Sequence, residues 1–139
     1  MENLESKDIL HLYNQNYRYF NKEMNQRLRK YDLYASQWAI LFCLDQAEPT
    51  TQTSIWKYLN IEAPTVTRTL SRLEKNGWVE RIPGEDKREK MIYLTEEAKA
   101  LLPTVKRTMK EFDDDMLHSL NQEERKLLYQ LLSKLTPEE

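Results

Sequence analysis

The stretch EAPTVTRTLSRLEKNGWVERIPGEDKREKMIYLT, residues 62–95, decides the fold. Its first half has a helical period. At about 100° per residue, Val66, Leu70 and Leu73 fall within about 60° of one another, while Thr65, Arg68 and Arg72 share another sector. A helix opening near Glu62 tolerates Pro64 in its first turn, where the N–H groups have no intrahelical partner. Gly77 follows the last turn, where a residue without Cβ takes the left-handed conformation that ends a helix. The second half holds two β-prone segments, Trp78 to Ile82 and Lys90 to Leu94. They are joined through Pro83-Gly84, a turn signal, and a charged tip that includes Asp86, Lys87 and Arg88. That connection is longer than an ordinary hairpin loop, and long loops with charged tips tend to carry function.

Upstream, Ile9, Tyr13, Tyr17, Phe20, Met24 and Leu28 recur at spacings of four, four, three, four and four, which predicts one long amphipathic helix. A second helix runs through Ser36 to Leu44, apolar nearly all round and therefore central, and Pro49 ends it. Thr50 and Thr51 are capping signals for a short third helix carrying Ile55, Trp56, Tyr58 and Leu59. Downstream, Thr95 caps a long helix with the stripe Ala98, Leu102, Val105, Met109, Phe112 and Met116, and Pro103 in its early turns is a candidate bend. A last helix starts at Asn121, with Glu124 completing a capping box and Leu127, Leu128, Leu131, Leu132 and Leu135 on its length. The expected fold is mainly α (α+β): a winged helix-turn-helix with a two-stranded β-hairpin wing, flanked by long N- and C-terminal helices. Residues 1–139 form a single domain in this reading, with 34–95 the winged helix-turn-helix part and 1–33 and 96–139 the terminal helices.

Composition excludes much else. The chain has 139 residues, 40% hydrophobic and 32% charged, the balance of a soluble globular domain. Only two glycines occur, Gly77 and Gly84, so no P-loop or dinucleotide fingerprint can be built. Two histidines, His11 and His118, are too few and too isolated for a zinc cluster or a catalytic triad, so no metal, cofactor or enzymatic activity is expected. A single cysteine, Cys43, forms no intrachain disulfide and fits a reducing cytoplasm. The first twenty residues lack a signal-peptide pattern, and the longest apolar run, Trp38 to Leu44, is too short to span a bilayer. Net charge is −2, yet residues 50–95 hold eight basic against six acidic side chains and are the one net-positive third.

A short helix, a tight turn and a helix with a polar outer face form a helix-turn-helix, whose second helix is dimensioned for the DNA major groove. Arg68 and Arg72 are suited to phosphates and to guanine edges, and Arg88 at a protruding tip is suited to the narrow minor groove. On spacing alone, solvated helix charges explain Arg68 and Arg72 equally well.

The segments Val66-Thr67-Arg68, Arg72 to Val79, Asp86-Lys87-Arg88 and Leu94-Thr95 resemble the recognition helix, its exit and the wing signature of the MarR family of bacterial winged-helix transcriptional regulators. The resemblance covers nearly the whole chain. It implies a homodimer built by the first, fifth and sixth helices, with Arg88 as the wing arginine and Asp86 its orienting partner. It also implies DNA contacts from Pro64, Thr65 and Arg68; Thr67, Arg72 and Lys87, in the same matched segments, complete the expected DNA-binding set within 34–95, and 1–33 and 96–139 are then the dimerisation helices. Glu62 departs from the family, where many relatives have a serine cap. The expected function is a cytoplasmic repressor that binds double-stranded DNA at a pseudo-palindromic operator. A winged-helix module for protein contact is the alternative.

Apolar stripes on the terminal helices exceed what a three-helix winged core can cover, which independently favours a dimer. Tyr13, Tyr17, Phe20 and Trp38 are either plain core or the lining of a pocket for a small aromatic or phenolic effector. Cys43, inside an apolar run, reads as a buried inert thiol rather than a redox sensor. Asp113-Asp114-Asp115 reads as a solvated face, with His118 placed to pair with Asp114.

Overall fold

The computed structural model describes residues 3–85 and 89–137. Helix α1 (Ser6–Leu28) runs into a 3-10 turn at Arg29–Tyr31, followed by α2 (Ala35–Ala47), strand β1 (Thr50–Thr51) and α3 (Gln52–Leu59). Then come α4 (Ala63–Lys75), β2 (Val79–Pro83), β3 (Lys90–Leu94), α5 (Glu96–Met116) and α6 (Gln122–Leu135). The long amphipathic segments are helices as their period requires, and α5 runs unbroken through Pro103.

The core sits where α2, α3, α4 and the sheet converge. Leu41, Leu44, Ile55, Leu70, Leu73 and Ile92 are all fully buried there. Central α2 hides residues on most of its circumference, including Gln37, whose Oε1 accepts the Tyr34 N–H at 2.9 Å. That bond satisfies an orphan donor at the helix start. Against this core α5 lays Ala98, Leu102, Val105, Met109 and Phe112.

The expected two-stranded wing is the antiparallel β2–β3 hairpin, and strand β1, which was not expected, joins it to make a three-stranded sheet in the order β1-β3-β2. Thr50 pairs with Ile92 and Thr51 with Met91. Thr51 also caps α3, its Oγ1 accepting from Ser54 N at 3.1 Å. A two-residue strand carries no alternation of its own, and its partner lies some forty residues away, so only its capping role is visible locally. Next to β1, the Glu48 carboxylate accepts the Leu94 N–H at 2.9 Å and continues the bonding of β3 where strand pairing stops.

The terminal helices are covered unequally. In α1 Leu28 is buried and Phe20 and Met24 rest on the core, whereas Ile9, Tyr13 and Tyr17 are at least half exposed. Helix α6 buries no residue, and Leu127, Leu128, Leu131, Leu132 and Leu135 all remain exposed. It is nonetheless a well-capped helix, with Asn121 and Glu124 forming the reciprocal pair of bonds at its start. Arg125 donates to the carbonyls of Leu117 and Leu120 and fixes the turn before it.

Candidate nucleic-acid interface

Helix α3 ends on Asn60, in the left-handed region at φ 55°, and Ile61 N–H bonds back to the Trp56 carbonyl. Asparagine tolerates that conformation better than most residues with a Cβ. The chain then enters α4 after two residues, so α3 and α4 form a helix-turn-helix. Glu62 is the N-cap of α4 but makes no side-chain cap bond, in line with its departure from a serine cap.

Helix α4 divides into three sectors. Val66, Leu70 and Leu73 face the core. On the outward side lie Pro64, Arg68 and Arg72, all exposed, with Thr65 half-buried at the edge. Lys75, which the sequence reading passed over, falls in this outward sector and is exposed. Its signal was present in the same 100° arithmetic, seven residues beyond Arg68. Among the described residues none of Arg68, Arg72 and Lys75 has a carboxylate partner. Among the described residues Arg68 reaches the Thr65 hydroxyl, at 3.4 Å. Cations on one helix face without a carboxylate partner among the described residues can take up phosphate or base-edge acceptors.

Thr67 lies in the third sector, with Ser71 and Glu74. Its hydroxyl donates to the Ala63 carbonyl at 3.0 Å and accepts from Gln52 Nε2 at the start of α3. Ser71 donates to the Thr67 carbonyl at 3.0 Å and accepts from Arg81 Nη2 at 3.2 Å. Arg81, on β2, also grips Glu74 with two donors, Nη2 at 3.1 Å and Nε at 3.4 Å. This hydrogen bonding holds the Glu74 carboxyl below the usual carboxylate range. None of Gln52, Ser71, Glu74 and Arg81 was singled out from sequence, because their pairing depends on elements meeting in space.

The exit of α4 is closed by a double bond pattern. Trp78 N–H reaches the Leu73 carbonyl at 2.9 Å and Gly77 N–H the Glu74 carbonyl at 3.1 Å, with Gly77 at φ 84°. Thr95 fastens this exit to α5: its hydroxyl donates to the Gly77 carbonyl at 2.6 Å and accepts from Ala98 N at 3.1 Å. At the wing, Gly84 N–H bonds the Glu89 carbonyl at 3.0 Å, and a Cβ there would stand 3.1 Å from the same oxygen. Close approach, rather than an unusual φ, is what Gly84 provides. Asp86, Lys87 and Arg88 lie outside the described residues.

Between α1, α2 and α4 an open cleft of about 590 Å³ is lined by Tyr17, Tyr34, Trp38, Ile61, Thr69 and Arg72, among others. Of the four aromatics expected in one pocket, Tyr17 and Trp38 line this cleft, whereas Phe20 packs on the core and Tyr13 is half exposed away from its lining. Arg72 borders both this cleft and the outward face of α4.

Cys43 is buried, and burial raises its thiol pKa. The aspartate run is more than a solvated face. Asp115 pairs with Arg27 of α1 at 2.9 Å, and the Arg27 guanidinium lies 5.5 Å from the centre of the Phe112 ring. Asp114 pairs with Lys110, and His118 Nδ1 instead contacts the Asp115 carbonyl at 2.7 Å, an oxygen in the last turn of α5 that the Leu117 and His118 N–H groups also approach. No group of three or more metal-ligating side chains occurs among the described residues. No described helix is long and apolar enough to cross a membrane.

A helix-turn-helix followed by a hairpin packed beside its second helix defines the winged helix-turn-helix class. The family model described as MarR family matches residues 33–90. The chain is 45% identical over 120 residues to the HTH-type transcriptional regulator YwoH of Bacillus subtilis (strain 168), covering 86% of this chain and 88% of that one. It is 33% identical over 119 residues to an HTH-type transcriptional regulator of Bacillus cereus (strain ZK / E33L), covering 83% and 78%. A mutant of MarR from E. coli complexed with operator DNA superimposes with a TM-score of 0.86 at 27% identity, covering 91% of this chain and 92% of that one. A MarR transcriptional regulator from Methanosarcina mazei Go1 gives 0.84 at 25% identity, covering 94% and 95%. The chain therefore belongs to the MarR family, and is a DNA-binding transcriptional regulator rather than an enzyme.

Proposed function

We propose that this regulator binds a pseudo-palindromic operator in double-stranded DNA as a homodimer and acts as a cytoplasmic repressor. Residues 34–95 form the DNA-binding part and residues 1–33 and 96–139 the dimerisation helices. Helix α4 enters the major groove, where Pro64, Thr65, Arg68 and Arg72 meet phosphates and base edges and Thr67 borders the contact. The wing follows the adjacent minor groove, with Arg88 inserted, Lys87 beside it and Asp86 orienting the arginine. The observation that carries this reading is the outward face of α4, with three cations that have no carboxylate partner among the described residues. The dimer reading is supported by the uncovered leucines of α6 and the uncovered half of α1, each forgoing roughly 1.5–3 kcal/mol of burial in a lone chain.

Release by a small aromatic or phenolic effector belongs to the same reading. A ligand in the cleft lined by Tyr17 and Trp38 would lie against Arg72 and compete with its use on DNA. The DNA reading is tested by fluorescence anisotropy on a duplex carrying the site that the native chain selects from random duplex DNA. Log K falls with log salt at about −0.9 per neutralised phosphate, and Arg88→Ala both weakens binding and shallows that slope by about one contact. An unchanged slope and affinity in Arg88→Ala overturns the wing assignment. Salt-independent binding favours the protein-contact module instead.

A further inference from the structure

The polar sector of α4 does not face solvent alone; it ties three elements together. Gln52 of α3 holds Thr67, Thr67 and Ser71 are joined through a backbone carbonyl, and Arg81 of β2 bridges Ser71 and Glu74. Arg81 is well covered, with its side chain 15% exposed, while beyond it on β2 Ile82 and Pro83 are exposed. Val79 and Arg81 share one face of the strand, so the buried valine and the bridging arginine are successive points at which β2 is held toward α4. Lys90 of β3, paired with Pro83 across the hairpin, adds a second attraction on the Glu74 carboxylate. A planar guanidinium with two parallel donors on one carboxylate fixes an orientation as well as a distance, which a single point charge does not.

We propose that Arg81 is the positioning residue that sets the offset between recognition helix and wing, acting through Glu74 and Ser71. It thereby fixes the number of base pairs between the major-groove step read by α4 and the minor-groove step reached by the wing. This inference rests on the DNA reading proposed above. Arg81 itself touches no base: its role is to make the two reading heads a rigid ruler. Loss of the bridge leaves the sheet and the buried face of α4 in place and frees the hairpin to swing about its base.

The test is a set of duplexes built on the site selected by the native chain, in which the wing-side positions are moved in or out by one base pair. Native protein prefers one spacing by about tenfold or more, the range expected when two coupled contacts must be met at once. Arg81→Met flattens that preference to about threefold or less while retaining binding to the helix-read positions alone. Glu74→Ala, on an exposed helix position that tolerates alanine, flattens it in the same way, and the double variant is no flatter than either single one. Arg68→Ala weakens binding at every spacing and leaves the preference unchanged. If Arg81→Met and Glu74→Ala weaken all spacings by one common factor, or change nothing, the inference is overturned while the DNA reading stands. If the native chain shows no spacing preference and no salt slope, both fail.

Discussion

At the residue scale, two side chains have environments that titration reads directly. Glu74 is held below the usual glutamate range chiefly by the Arg81 hydrogen bond, so its folded pKa lies under its unfolded one. A depressed carboxylate contributes stability that is present above the unfolded value, about 4.3, and is lost as pH falls through the folded value. NMR of the Glu74 carboxyl carbon should show a depressed midpoint in the native chain and a return toward the ordinary value in Arg81→Met. An identical midpoint in both would mean that Arg81 does not hold it. Cys43 is the opposite case: burial raises its thiol and removes access, so a thiol reagent should label it slowly until denaturant is added. Rapid labelling of native protein would contradict that. The burial of Cys43 was legible from the apolar run around it, whereas the Glu74 pairing was not. Glu74 and Arg81 stand seven residues apart and on different elements, so neither helical nor strand period relates them.

At the element scale, helix ends were the most legible feature, because capping chemistry is local. Thr95, Asn121 and Thr51 each accept the backbone N–H expected of an N-cap, and Gly77 sits at positive φ past the end of α4. Gly77→Ala should lower stability by about 1 kcal/mol through backbone conformation alone, since a Cβ there meets no atom within 4 Å. Thr95→Ala should lower it by about 1–2 kcal/mol, losing the cap bond and the donor to the Gly77 carbonyl together. Urea midpoints measure both, and a neutral Gly77→Ala would contradict the left-handed assignment. Strand β1 escaped the sequence reading because two residues are below the length at which alternation exists. The link from Gln52 to Thr67 escaped it because fifteen residues and a turn separate the partners.

At the scale of the whole molecule, the order of the helices and the hairpin, and with it the winged class, was legible because each long segment kept its period, and the segment 62–95 kept its punctuation. The division of the terminal helices was not. A stripe in sequence says that a face is apolar, but whether its own chain covers it depends on the paths of α1 and α6. Half of α1 and all of α6 are left for another surface. Leu128→Glu with Leu132→Glu should shift the chain from dimer to monomer in sedimentation at micromolar concentration, since each buried carboxylate without a partner disfavours association by several kcal/mol. A monomeric native chain would contradict the dimer reading. Dimerisation and DNA reading meet in one measurement: selection of bound sequences from a pool of random duplex DNA by the native chain. The account predicts a two-fold symmetric motif whose half-sites are spaced about one helical turn apart. An unenriched pool, or a motif without symmetry, would contradict it.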